Sequence, residues 1–266
     1  MVTQNIRLGN RELKLIFALE SAKKRIFSTN ELAKILGISK ARTNKICWQL
    51  QRKNRLIRIR KGEYLFAPMK AGGKGYWSEE TLAVVSQILR DKPYYVSFWA
   101  AMNHYGLTEQ IPSVTQVVLP FRKRNFPAFG MKFEFVRLKE LGEFKEVNIA
   151  GQKVNMATLE QLIIDCLAHP EYCGGMAEAC KALWYARDKL NWEKLKQLSF
   201  KSKDVVRRRL GYLLDLLELP NFLSKTTFSG WRYLDPSRKK IQKGKAARWG
   251  LVLNLNEADL TYWKES

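Results

Sequence analysis

From residue 11 to residue 50 the apolar positions recur every three or four residues, in three separate runs. Leu13, Ile16, Phe17 and Leu19 mark a first helix over 11–24, since that spacing collects side chains on one face of a 3.6-residue turn. Ser28 followed by Glu31 forms a reciprocal cap, and Phe27 with Leu32 stand where a hydrophobic clamp would hold it, so a second helix starts at 28. Leu32, Ala33, Ile35 and Leu36 give its apolar face, and Gly37 supplies the left-handed residue that ends it. Ser39 caps a third helix whose inward stripe is Thr43, Ile46, Cys47 and Leu50. After it, "LIRIRKGEYLF" (56–66) alternates on both sides of Lys61-Gly62, which predicts a hairpin.

The order helix, helix, tight turn, helix, hairpin predicts a winged helix-turn-helix over 1–70. Thr43 departs from the Val or Ile common at its position in such units. Residues 71–77, rich in Gly and Lys, read as a linker; the G-x4-G-K-[ST] spacing of a phosphate-binding loop is absent. Beyond it, helical periodicity at 79–90 precedes "KPYYVSFWAAMNHYGL" (92–107), in which Ser97 opens a short aromatic helix. Alternating stretches at 113–120, 131–138 and 146–157, the last turning at Ala150-Gly151, predict a small, mostly antiparallel sheet. Helical patterns follow from Thr158 to Leu219, and a strand-like "WGLVLNL" closes the pattern. The fold class expected is therefore α+β, with 78–266 forming a second, mixed domain.

Charge changes the picture. The chain carries 47 Lys/Arg against 25 Asp/Glu, a net +22, a balance that favours polyanions or acidic surfaces. Residues 1–75 hold 18 of those bases and 4 of those acids, a net +14 that leaves +8 for the other 191 residues. Projected as a helix, the third helix turns Ala41, Asn44, Lys45, Trp48 and Arg52 outward, with Lys40 and Arg42 flanking. Asn, Arg and Lys read purine edges, and the small Ala41 permits close approach to a groove. Arg58, Arg60 and Lys61 on the hairpin are placed for phosphates. Trp48 is expected to pack against the hairpin or a partner. Two further basic runs, with Lys201, Lys203, Arg207 and Arg208 in one and Arg238, Lys239, Lys240, Lys243 and Lys245 in the other, make a possible secondary basic surface; the second run reads as a loop.

Catalytic and metal chemistry finds little support. Cys47, Cys166, Cys173 and Cys180 lack the close pairs that zinc sites use and read as buried thiols. His104 has no carboxylate or cysteine at useful spacing, and Asp165 stands alone among apolar residues, so both read as structural. No enzyme activity, cofactor or metal is expected. The segment Met1–Lys14 lacks an apolar core or cleavage-like site, and no uncharged run reaches the length of a membrane helix, so a cytoplasmic chain without membrane contact is expected.

The segments "YYVSFWAAMNHYGLTEQIPSVTQVVLP", "MATLEQLIIDCLAHPEYCGG" and "YLDPS…RWGLVLN", in that order behind a winged helix, resemble the AbiEi family of antitoxins and viral-defence transcriptional regulators. The link at 236–248 is longer than the family's usual one. The resemblance implies an N-terminal DNA-binding domain with contacts at Ser39, Lys40, Arg42, Asn44, Lys45, Arg58, Arg60 and Lys61, a C-terminal antitoxin domain, repression of the chain's own promoter at inverted repeats in double-stranded DNA, and no catalytic residue. It also implies a functional partner, an AbiEii-like nucleotidyltransferase toxin that is countered without a stable direct complex. Two other readings compete: a nucleic-acid-modifying enzyme targeted by the winged helix, and an adaptor that uses its helix-turn-helix for protein contact.

Overall fold

The computed structural model describes residues 7–22, 25–69, 81–128, 131–149, 151–223, 226–238 and 241–264. The Gly/Lys-rich segment 71–77 lies outside them. The architecture is mixed α+β. Two compact units divide the chain: residues 1–93 with 123–134 and 147–154, and the remainder.

In the first unit, α1 (Asn10–Ser21), α2 (Thr29–Leu36) and α3 (Lys40–Arg52) pack with β1 (Ile26–Ser28), β2 (Leu56–Arg60) and β3 (Glu63–Phe66). The strands form an antiparallel sheet in the order β1-β3-β2. Leu15, Ile16 and Leu19 from α1, Leu32 and Leu36 from α2, Ile46, Cys47 and Leu50 from α3, and Leu56 and Phe66 from the sheet make one core. Its local determinants are those in the sequence. The Ser28 hydroxyl accepts the Glu31 N–H at 3.2 Å while the Glu31 carboxylate accepts the Ser28 N–H at 2.7 Å, and Phe27 and Leu32 are both buried beside them. Gly37 takes φ 65° and turns the chain from α2 into α3. Gly62, at φ 74°, turns β2 into β3, and its carbonyl accepts the N–H of Thr29, which fastens the hairpin tip to the start of α2. Helix α4 (Thr81–Leu89) completes the helices of this unit.

A six-stranded sheet has the order β6-β7-β5-β4-β9-β8, from β4 (Tyr95–Val96), β5 (Val114–Leu119), β6 (Phe126–Ala128), β7 (Met131–Arg137), β8 (Phe144–Ile149) and β9 (Gln152–Ala157). β4 runs antiparallel to β5 but parallel to β9, a pairing that alternation along the chain does not announce. In the second unit α6 (Leu159–Ala168) is buried from Glu160 to Leu167 and packs against α5 (Phe98–His104), α7 (Met176–Ala186), α8 (Trp192–Lys201) and α9 (Asp204–Leu216). The basic run after 231 is more than a loop. β10 (Arg232–Tyr233) and β11 (Gly244–Ala246) flank β12 (Leu251–Leu253) in a second small sheet, and α10 (Glu257–Thr261) packs on α7. Among the described residues no helix is long and apolar enough to cross a membrane.

Candidate nucleic-acid interface

The α3 helix sorts its side chains by face. Thr43, Ile46, Cys47 and Leu50 are buried, whereas Lys40, Ala41, Arg42, Asn44, Lys45, Trp48 and Arg52 are exposed. Thr43 tolerates its apolar surroundings because its hydroxyl donates to the Ser39 carbonyl at 3.0 Å, which satisfies the one polar group it brings. Ser39 is exposed and caps the helix through the Arg42 N–H at 3.4 Å. The helix contains no Asp or Glu, and Lys40, Arg42 and Lys45 form no ion pair among the described residues. Like charges gathered on one face repel each other, and here nothing within the helix offsets that cost.

Trp48 is 55% exposed, with the Arg52 guanidinium 5.0 Å from its ring centre. It presents an aromatic face shared with a cation.

On the hairpin, Arg58 and Arg60 are both exposed, but they differ in how they are held. Arg60 pairs with Glu63 at 2.5 Å, and Glu63 also receives Arg90 at 2.6 Å. Arg58 makes only a long bond to the Arg60 carbonyl, and Lys61 sits exposed at the tip. Arg55, in the same basic run, is buried and donates to the Pro68 carbonyl.

Sequence reading missed a cleft of about 670 Å³ where the first turn of α1 faces α3. Arg11, Arg42, Lys45 and Lys53 line it, with Glu12 the single acid. Glu12 is occupied, accepting Lys53 at 2.6 Å and the Gly9 N–H at 2.7 Å. The cleft thus joins Arg11 to the basic face of α3. Its only signal in the sequence is the general charge of the first quarter.

The expected secondary surface in the second unit is partly corrected. Arg208 is 1% exposed. Its guanidinium bonds Asp204 at 3.0 Å and the carbonyls of Ser229, Gly230 and Gly250 at 2.6, 2.8 and 3.1 Å, so it is an internal hub. Arg207 folds back onto the carbonyls of Ser199, Phe200 and Ser202, closing the C-terminal end of α8. Lys201, Lys203, Arg238, Lys243 and Lys245 are exposed, Lys243 in an ion pair with Asp259 at 2.7 Å. Lys239 and Lys240 lie outside the described residues.

The four cysteines are free and buried; Cys173 Sγ points at the Pro170 carbonyl, 3.4 Å away, and burial pushes the Cys180 thiol up to about 12. His169, Pro170 and Glu171 stand at an H-x-E spacing, with His169 Nδ1 3.2 Å from Glu171. Among the described residues no three His, Cys, Asp or Glu side chains gather as metal ligands. His104 lies edge-on against Tyr105. Asp165 is enclosed, accepting Ser97 at 2.6 Å and Gln161 at 2.7 Å.

No protein-family model and no curated protein matches the chain. The fold is similar to the crystal structure of the RV2827C protein from Mycobacterium tuberculosis, with a TM-score of 0.64 and 17% identity over 98% of this chain and 96% of that one. At that identity the likeness is one of fold.

Proposed function

We propose that this chain is a sequence-specific DNA-binding repressor of its own promoter that doubles as the antitoxin of a toxin-antitoxin operon. In this reading residues 1–70 are a winged helix-turn-helix, α3 is the recognition helix and the β2–β3 hairpin is the wing. The observation that carries it is the outward face of α3, where Lys40, Arg42, Asn44 and Lys45 are exposed with no acidic residue on the helix. Lys40, Asn44 and Ala41, in the first turns, approach base edges in a major groove, while Arg42, Lys45, Arg58 and Lys61 meet phosphates and fix register. Arg60 contributes less than Arg58 because Glu63 already holds it. Arg11, lining the cleft beside α3, extends the phosphate track. The antitoxin role rests on the resemblance of residues 78–266 to the AbiEi family, and the partner it implies is a nucleotidyltransferase-like toxin.

The test compares variants on the chain's own upstream fragment and on random duplex. Lys40→Ala/Asn44→Ala is expected to lose about 1–3 kcal/mol per base contact on the upstream fragment and little on random DNA. Arg58→Ala is expected to weaken both alike. Equal losses on both duplexes for every variant would remove the assignment of base readers. For the second role, the chain expressed from a foreign promoter is expected to rescue growth from the downstream toxin, and Lys40→Ala/Asn44→Ala is expected to rescue as well. Loss of rescue in that variant would place both roles on one surface.

A further inference from the structure

The small sheet of the second unit carries an arrangement unrelated to the duplex-binding face. Tyr233 and Lys245 stand directly opposite Val252 from its two sides, so all three side chains project from the same face. Trp231, two residues before Tyr233, joins that face, with the Lys245 ammonium 5.1 Å from its ring centre. Trp231 is 45% exposed and Tyr233 36%. Large rings left in water cost free energy, and two of them two residues apart, with the Lys245 cation over one, mark a surface suited to a planar, anionic ligand.

The backbone leading into the rings is also held. The Arg208 hub gathers the carbonyls of Ser229, Gly230 and Gly250, and the Arg232 N–H donates to the Gly250 carbonyl at 2.9 Å. Gly250 cannot be replaced there: its φ is +57°, and an added Cβ would lie 2.2 Å from an Arg208 nitrogen. A platform fixed before its ligand arrives loses little entropy on binding.

Charge selects the ligand. Residues 231–249 contain seven Lys/Arg and a single carboxylate, Asp235, which is buried and engaged by Ser237; Lys243 and Arg248 are paired with Asp259 and Asp215, and Lys245 is exposed beside the rings. We propose that the exposed face of this sheet binds single-stranded nucleic acid, with Trp231 and Tyr233 stacking on successive bases and Lys245 meeting a phosphate beside them. Stacking needs bases whose faces are free, which duplex DNA withholds and RNA loops and single-stranded segments offer. The inference goes beyond the repressor reading and does not depend on it.

The experiment measures fluorescence polarisation of the full chain with an unstructured single-stranded RNA, the same sequence as single-stranded DNA, and a duplex. Trp231→Ala/Tyr233→Ala is expected to weaken RNA binding about tenfold or more, and Trp231→Phe/Tyr233→Phe, which keeps two rings, to stay within about threefold of the unmodified chain. Lys40→Ala/Asn44→Ala is expected to bind RNA normally, which separates this site from the duplex-reading face. RNA binding that survives loss of both rings would overturn the proposal. So would RNA binding lost in Lys40→Ala/Asn44→Ala, and so would a duplex bound by that variant as tightly as the single-stranded RNA and DNA.

Discussion

Asp165 shows what one buried group does to the pH dependence of the chain. Burial pushes its carboxyl from the ordinary 3.8 up to about 6, against the pull of the Ser97 and Gln161 hydrogen bonds. Between those two values the folded chain keeps a proton that the unfolded chain has released, so stability falls as pH rises through that window and levels off above about 6. Asp165→Asn removes the titration. Urea unfolding from about pH 4 to about pH 7 is expected to shift in favour of the variant by about 3 kcal/mol in total; a constant difference across that range would mean the carboxyl is not raised. Arg208 makes a second residue-scale case. Arg208→Met abandons Asp204 and four backbone carbonyls, and is expected to cost about 3–5 kcal/mol in the same measurement. A loss under about 1 kcal/mol would contradict its role as a hub. The apolar surroundings of Asp165 were legible in the sequence, but its partners Ser97 and Gln161 and the hub at Arg208 were not. Arg208 reads there as one of a basic run, because its carbonyl partners lie 21 to 42 residues further along the chain.

At the scale of elements, what could be read in advance was what the chain decides locally. The Ser28–Glu31 cap, the Gly37 turn, the inward stripe of α3 and the Gly62 hairpin each depend on residues within a few positions of one another, and each is where the pattern puts it. Ser28→Ala is expected to cost about 1 kcal/mol of stability through loss of the cap, and Gly37→Ala about 1 kcal/mol through strain at its positive φ. Both are checked by thermal unfolding, with duplex affinity unchanged while the fold is populated. Elements that depend on distant partners were not legible. β1 and β4 have three and two residues, too few for alternation to register, and exist because β3, β5 and β9 supply their hydrogen bonds. Of the sheet β10-β12-β11, β12 falls within the strand-like "WGLVLNL", whereas β10 and β11 hid inside a run whose charge dominates its pattern, where the aromatic positions Trp231 and Tyr233, spaced by two, hinted at a strand. The cleft at the start of α1 needs the packing of α1 on α3 and had no local signature.

At the scale of the whole molecule the dominant fact is a net charge of +22, concentrated in the first quarter of the chain. Much of that charge is committed internally: Arg55 and Arg208 are buried, Arg207 closes a helix, and Lys53 and Arg60 hold Glu12 and Glu63. The residues assigned to phosphates near α3 are Arg11, Arg42, Lys45, Arg58 and Lys61, all exposed, and that set fixes an expectation. If each neutralises one phosphate, the affinity for duplex DNA falls with salt at a log–log slope of about −4.5 per bound copy. A measured slope near −1 would leave these residues off the DNA. The most direct measurement is a titration of the unmodified chain against its own upstream fragment and a scrambled fragment, each at several salt concentrations. The repressor reading predicts a steep slope on both and a preference of at least about a hundredfold for the upstream fragment. Equal affinity for the two fragments at every salt concentration would contradict sequence reading by α3 and leave a basic surface without a code.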